Sequence, residues 1–413
     1  MRLLYTLVAY LLMPWAMLHL ALRGRRQPEY LRHIGERFGF YPERVRAPVI
    51  WIHAVSVGET RAAEPLIRSL QRRHADRRIV LTHMTPTGRE TAQALFGESI
   101  ESRYLPYDLP GAVNRFLDHF RPAIGILMET ELWPNLICAC ARRGVPVHLV
   151  NARLSERSAA RYRRFRGLAW PMLAALSGIG AQTQRDAQRL RSIGASRIAI
   201  TGNMKFDRTP PPDQVRLGEQ LRKLFGVNRP VFLAASTREG EEALLLEALP
   251  ILGGTDVLTV LVPRHPQRFR EVAGLLKSGN LAFQQRSENK TIRPDTRVVL
   301  GDSMGEMFAY YAACDVAFVG GSLLSLGGQN LLEACSAGKP VIVGPHTFNF
   351  EEATEEAIEA GAALKVVDAA QAVTVALELL QNPSRARTMG EAGRRFIEAH
   401  RGATERTLTL IGM

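Results

Sequence analysis

Four cysteines in 413 residues are too few for a disulfide framework, and Cys138, Cys140, Cys314 and Cys335 all sit in apolar segments. That usage suits a reducing compartment. Cys138-x-Cys140 has no second pair to complete a metal site, so it reads as core packing. Asp-x-Asp triplets and His/Glu clusters are also missing, which leaves no divalent-metal motif. The chain has no internal repeat of solenoid length, no low-complexity tract and no coiled-coil heptads. Acidic residues are scarce only in the first half: 16 Asp+Glu against 32 Lys+Arg through Arg208, then 24 against 21 beyond it. An evenly basic chain points to nucleic acid, whereas basicity confined to one half points to one domain facing an anionic surface or substrate. Nucleic acid is therefore not expected as a partner.

With 46% hydrophobic and 23% charged residues, the chain is long enough for two domains with separate cores. Leu3 to Leu22 is an apolar run without formal charge, followed by Arg23, Arg25 and Arg26. Its length spans a bilayer as a helix, and no small-residue cleavage site precedes the arginines, so an uncleaved membrane anchor is expected rather than a signal peptide. The arginine cluster on its C-terminal side would keep the following chain cytoplasmic. Pro14 and Trp15 interrupt the run, and a helix lying in the interface is the variant.

The body alternates strand and helix patterns, first with strands at 48–54, 78–82, 124–128, 145–150, 178–182 and 198–201. A second series has strands at 231–235, 257–262, 281–284, 297–300, 316–319 and 340–343. The expected fold class is α/β with two Rossmann-like domains. Pro210–Pro212 breaks both kinds of regular structure. The expected division is 1–26 anchor, 27–208 first domain, 209–228 linker and 229–413 second domain, with the helix around Arg385–Ala399 packing back on the first.

Ligands of such sheets sit at the strands' carboxyl ends, and polar residues gather there. In the second series, Val316–Val319 runs into Gly320-Gly321, and Gly327-Gly328 precedes a helix expected to open at Asn330. Glycine amides and a helix N-terminus suit a phosphate, and Glu333 one turn on suits a ribose diol. Ser236 and Arg238 end one strand, Pro263-Arg264-His265 another, and Met304-Gly305-Glu306 follow a third. Without a metal, phosphate charge would fall to Arg238, Arg264 and Lys205. In the first series, Glu59 heads a helix just after a strand, which fits either a helix cap or a general base facing a cleft. Glu129 and Glu131 end another strand, and one of them would orient a substrate or cation. Two such domains with a nucleotide site and no metal triplet describe a glycosyltransferase of the GT-B type.

Several stretches carry a closer resemblance: His53–Glu59, Met128–Asn135, Asn151–Ser155, Gly202–Asp207, Pro263–Pro266 and Gly344–Phe350. In order along the chain, they resemble the 3-deoxy-D-manno-octulosonic acid (Kdo) transferases of the lipid A pathway in Gram-negative bacteria. The resemblance implies transfer of Kdo from CMP-Kdo to the tetraacylated, bisphosphorylated precursor lipid IVA, with inversion and without cofactor or metal. It implies catalytic bodies at the cytoplasmic face of the inner membrane, with the basic half meeting lipid A phosphates and the anionic leaflet. Position by position, Glu59 would be the base, and Glu129 and Lys205 would stabilise the transition state. Pro263, Arg264, Met304, Gly305, Glu306, Asn330, Leu331, Leu332 and Glu333 would hold CMP. One departure is Gly327-Gly328-Gln329-Asn330-Leu331, where the family pattern is Gly-Gly-His-Asn-Pro; Gln329 hydrogen-bonds but takes no proton near neutral pH. The alternative within the same fold is a transferase or epimerase using a UDP-sugar.

Overall fold

The computed structural model describes residues 1–42 and 48–413. The side chain of Arg26, counted above in the arginine cluster, lies outside the described atoms. The chain divides into two compact units, Met1–Arg208 with His400–Met413, and Thr209–Ala399.

The first unit is built on strands β1 (Ile50–His53), β2 (Ile79–His83), β3 (Glu101–Tyr104), β4 (Ile124–Met128), β5 (Val147–Ala152), β6 (Gly178–Ala181) and β7 (Ile198–Ile200). They pair in the order β3-β2-β1-β4-β5-β6-β7, all parallel. Every residue of β1, β2 and β4 is buried, because helices cover both faces of a parallel sheet and leave no solvent side for polar residues. Trp51 of β1 is fully buried: its ring meets Phe116 edge-on at 5.1 Å and its Nε1 donates to Thr82 Oγ1 at 2.8 Å. Gly125 of β4 makes room for it, since a Cβ there would stand 2.8 Å from the indole.

The second unit repeats the scheme with β8 (Val231–Thr237), β9 (Leu258–Pro263), β10 (Phe283–Gln285), β11 (Val298–Leu300), β12 (Val316–Val319), β13 (Val341–Val343) and β14 (Ala363–Lys365). The order is β10-β11-β9-β8-β12-β13-β14, again all parallel. Two expectations about connections change. Residues 209–228 belong to the second unit and are largely the helix Pro212–Phe225, whose Gly218 lets it close on Ala309 and Ala312 of the helix Met307–Ala313. The helix around Arg385–Ala399 lies in the second unit, whereas His400–Met413, expected in the second domain, is counted with the first and carries the short helix Ala403–Ile411. Asp207 fastens that helix by accepting the amides of Gly402 and Thr404. A carboxylate is well placed there because the first turn's N–H groups have no helical partner.

Strand order sets where chemistry can happen. In the first sheet the chain runs outward through β2 and β3, then jumps to β4 on the other side of β1, so the switch point lies between β1 and β4. The equivalent place in the second sheet lies between β8 and β12. Helices following neighbouring strands diverge there, which opens a crevice at the carboxyl ends.

Candidate active-site residues in the two units

At the first switch point, β1 and β4 pair in register from Ile50↔Ile124 to His53↔Leu127, so the segments leaving them emerge side by side. Beyond β1, Ser56 caps the helix Val57–Arg73 by accepting the Glu59 amide at 3.5 Å. The Glu59 side chain returns to the loop, accepting the Val55 amide at 2.9 Å and the Ser56 hydroxyl at 3.2 Å. Burial pushes its carboxyl up to about 7, helped by negative charge at Glu129 and Glu131 and opposed by the Val55 and Ser56 hydrogen bonds. The carboxyl that closes the head of the helix is thus the one raised to about 7. A half-protonated carboxyl near neutral pH can take a proton from an alcohol and release it again.

Beyond β4, Glu129 has φ +54°, an uncommon backbone for a residue with a Cβ and one that costs roughly 1–2 kcal/mol. Its amide still donates to Val150 O at 2.9 Å, and its carboxylate lies 3.4 Å from Lys205 Nζ. Lys205 is set by two asparagines: Asn151 Oδ1 accepts the Met204 amide, and Asn203 Oδ1 accepts the Lys205 amide, each at 3.0 Å. Asn151 itself has φ +52°, which asparagine tolerates better than most residues. Glu131 accepts the Trp133 indole N–H at 3.0 Å, and burial raises its carboxyl above the usual range. Its Oε2 is 4.0 Å from Nε2 of fully buried His53, whose pKa burial lowers to about 3, so this is a contact with a neutral ring. Glu59, Glu129, Glu131 and Lys205 thus share one strand-end locus. Lys205 and Glu129 can steady charge while Glu59 moves a proton.

The glycine loop after β12 departs from the expected phosphate cradle. Glu241, fully buried, accepts the amides of Gly321, Ser322 and Leu323 after β12 and that of Arg238 after β8. An internal carboxylate therefore occupies the nest that glycine amides would offer a phosphate. Gly320 donates to Ala235 O, Gly328 to Gly321 O and Gln329 to Gly320 O, which uses those amides too. The helix expected at Asn330 begins at Leu332 and runs only to Ser336, with Asn330 Oδ1 accepting the Leu332 amide at 3.1 Å. The sequence signal for Glu241 was the pair Glu241-Glu242 directly after Gly240 at a strand end, which looks like a solvated helix start.

What remains for an anion is side-chain charge. Half-buried Arg238 and Arg264 stand beyond β8 and β9, close enough to His265 that, after burial, they and Arg268 lower its pKa. Arg268 is taken up by Glu242 and Glu271 at 3.0 and 3.1 Å. Arg264 Nε donates to Gln329 Oε1 at 3.3 Å, which links β9's end to the 327–331 loop. Ser236, next to last in β8, has φ +55°, and Pro263 is the last residue of β9. Asn330 Nδ2 donates to Glu333 Oε1 at 3.4 Å, while Leu331 and Leu332 are buried beneath the loop. Met304 is 51% exposed beside Gly305, and Glu306 is held by Arg286 at 3.3 Å and by the Ser303 hydroxyl at 2.6 Å. Among the described residues no three His, Cys, Asp or Glu side chains group as metal ligands.

Residues 32–208 match the family described as 3-Deoxy-D-manno-octulosonic-acid transferase (kdotransferase), and residues 231–396 match glycosyl transferases group 1. The 3-deoxy-D-manno-octulosonic acid transferase of Bordetella pertussis is 46% identical over 98% of this chain and 97% of its own. That of Haemophilus influenzae is 40% identical over 99% and 98%. Among solved structures, a glycosyltransferase from Rickettsia africae has a TM-score of 0.59 at 14% identity, covering 89% of this chain and 98% of its own. The UDP-GlcNAc 2-epimerase of Neisseria meningitidis also has a TM-score of 0.59, at 18% identity over 88% and 99%. At such identities these two show the fold alone, the paired Rossmann-like units of the GT-B class.

Proposed function

The chain belongs to the 3-deoxy-D-manno-octulosonic acid transferase family and is a glycosyltransferase, and on that premise we propose that it moves Kdo from CMP-Kdo to lipid IVA, with inversion and without a metal. The observation that carries the reading is Glu59, half-buried at the first switch point with its carboxyl at about 7. In this reading Glu59 removes the proton of the acceptor hydroxyl as its oxygen attacks the anomeric carbon of Kdo. The bond from that carbon to the CMP phosphate breaks, and its electron pair leaves with CMP. Attack opposite the leaving phosphate inverts the configuration.

Lys205, held 3.4 Å from Glu129, supplies positive charge where charge redistributes in the transition state. Arg238 and Arg264 neutralise the phosphate of CMP, a role that in other enzymes falls to a cation. Pro263, Met304, Gly305, Glu306, Asn330, Leu331 and Leu332 shape the nucleotide site, with Glu333 on the ribose and Ser236 beside the phosphate. The occupied nest at Gly321–Leu323 suits a donor with one phosphate better than one with two, which weighs against a UDP-sugar. In this reading the acceptor is an anionic lipid and the enzyme works at the cytoplasmic face of the bacterial inner membrane, which the excess of Lys and Arg before Arg208 supports.

The test is Glu59→Ala. Loss of a general base lowers turnover by about 10²–10⁴-fold while CMP binding survives. Near-normal turnover in that variant would show that the base lies elsewhere.

A further inference from the structure

The helix Arg2–Arg26 is long and apolar enough to cross a membrane, yet both of its ends are tied to the first unit. At its start, the Met1 side chain packs on Gly167, the Tyr5 hydroxyl hydrogen-bonds Asp108, and Thr6 Oγ1 donates to Asn135 Oδ1 at 3.1 Å. At its end, Arg23 lies over the Tyr30 ring at 5.8 Å and Leu31 packs on Gly24. Ten residues after Arg26 the chain is fixed to the sheet: Glu36, 4% exposed, accepts from Arg89 at 2.9 Å and from the Tyr104 amide at 2.8 Å. Between the ends, the residues that are not exposed are Ala9, Met13, Ala16, Met17 and Leu20. With Tyr5 and Gly24 they recur every three or four residues, so the less exposed residues share one stripe of the helix.

A helix of 25 residues is about 37 Å long, enough for a hydrocarbon core of about 30 Å. Crossing, however, would put one end on the far side of the bilayer, and both ends here are tied to the same unit. Away from that stripe, Leu3, Leu7, Leu11, Trp15, Leu18 and Leu22 are all 49–83% exposed. The Met1 end abuts the helix Arg166–Ala174, where Trp170 is 55% exposed; just before it Phe165 is 49% exposed. Arg157, Arg161, Arg164 and Arg166 are exposed on the same stretch.

We propose that the N-terminal helix lies flat in the interface of an anionic phospholipid leaflet, and that Phe165, Trp170 and the neighbouring arginines form a second membrane-binding element beside its first turn. Aromatic rings belong at the headgroup level and arginines among anionic headgroups, while the apolar outer face of a helix held at both ends can sink about 5–10 Å into that boundary. The inference rests on the membrane reading above but not on the transfer reaction. It places the strand ends of the first unit at a fixed height over the leaflet that holds a lipid acceptor.

The experiment uses the full chain with Cys138→Ser, its other three cysteines being buried, and one added cysteine spin-labelled in turn at Leu3, Leu7, Leu11, Leu18 and Leu22, and at Ala9, Met13, Ala16 and Leu20. It is bound to phosphatidylglycerol-containing vesicles, and oxygen and nickel-chelate accessibility give depth. A flat helix places the first set at one shallow depth and leaves the second shielded from lipid. Depth greatest near Leu11 on every face, falling to water at both ends, would be a crossing helix and would overturn the flat placement while sparing the membrane reading. No lipid contact at any position would overturn the membrane reading itself. In a second arm, Phe165→Ser with Trp170→Ser weakens vesicle binding about tenfold with CMP binding unchanged; undiminished vesicle binding would remove the second element.

Discussion

The Val55 amide donates to Glu59 Oε2 at 2.9 Å, so the carboxyl that closes the head of its helix is also the one that burial and the charges of Glu129 and Glu131 hold at about 7. The Ser56 hydroxyl donates to the other oxygen, Oε1, at 3.2 Å, so the loop keeps the group in place while its charge state stays open to pH. The rate of transfer at low substrate should therefore rise tenfold per pH unit below about 7 and level off above it, because only the ionised carboxyl accepts the acceptor's proton. A profile flat from pH 5 to 9 under the same conditions would assign the proton to another group.

The same shift has a stability cost whose sign is fixed. The folded carboxyl titrates near 7 and the unfolded one near 4.5, so between those values the folded state holds more protons. Stability then falls as pH rises through that window, by at most about 3 kcal/mol once both states are ionised. Glu59→Gln keeps an acceptor for Val55 and carries no charge, so it should raise the melting temperature at pH 8 and change it little at pH 4.5. An equal effect at both pH values would mean the shift is not expressed in the folded protein.

Lys205 and Glu129 should behave as one unit. Removing the lysine's charge leaves a carboxylate beside Glu59 without its counter-ion, and removing the carboxylate leaves Lys205 less firmly held. Lys205→Met and Glu129→Gln should each lower kcat by about 10–100-fold, with the double variant well short of the product. Strict multiplicativity would show two independent roles.

Glu241 should matter more for donor binding than its distance in sequence from the other site residues suggests. Glu241→Ala leaves three buried amides and one half-buried amide without an acceptor, at a cost of about 3–5 kcal/mol, and lets the loops after β8 and β12 part. Calorimetry should show a lowered transition for the second unit only, with CMP affinity reduced. Glu241→Gln, which keeps one acceptor oxygen, should recover part of both. If neither variant changes CMP affinity, the loop is not part of the donor site.

Much of the fold was legible because buried parallel strands are short apolar runs: β1, β4, β8 and β12 stand out as Ile50–His53, Ile124–Met128, Val231–Thr237 and Val316–Val319. Edge strands are quieter. Glu101-Ser102-Arg103-Tyr104 of β3 has three half-buried polar residues, and β14 is three residues long, so neither has an apolar signature. At the sites, Glu59, Glu129, Lys205 and Arg264 could be picked out as polar residues at strand ends. The contact that fills the glycine loop could not, because Glu241 reaches its amide partners across 80 to 82 residues of chain. The return of Ala403–Ile411 to the first unit was hidden for the same reason: its anchor is Asp207, 195 residues away.

The most direct test of the account is transfer itself. Labelled Kdo would be supplied as CMP-Kdo made in situ, with EDTA added once the donor has formed, onto tetraacylated lipid A precursor in detergent, and the products resolved by mass. The account predicts a product heavier by one or more Kdo units, undiminished by EDTA. No product from a donor proved active with a control enzyme, or a product that vanishes with EDTA, would contradict it.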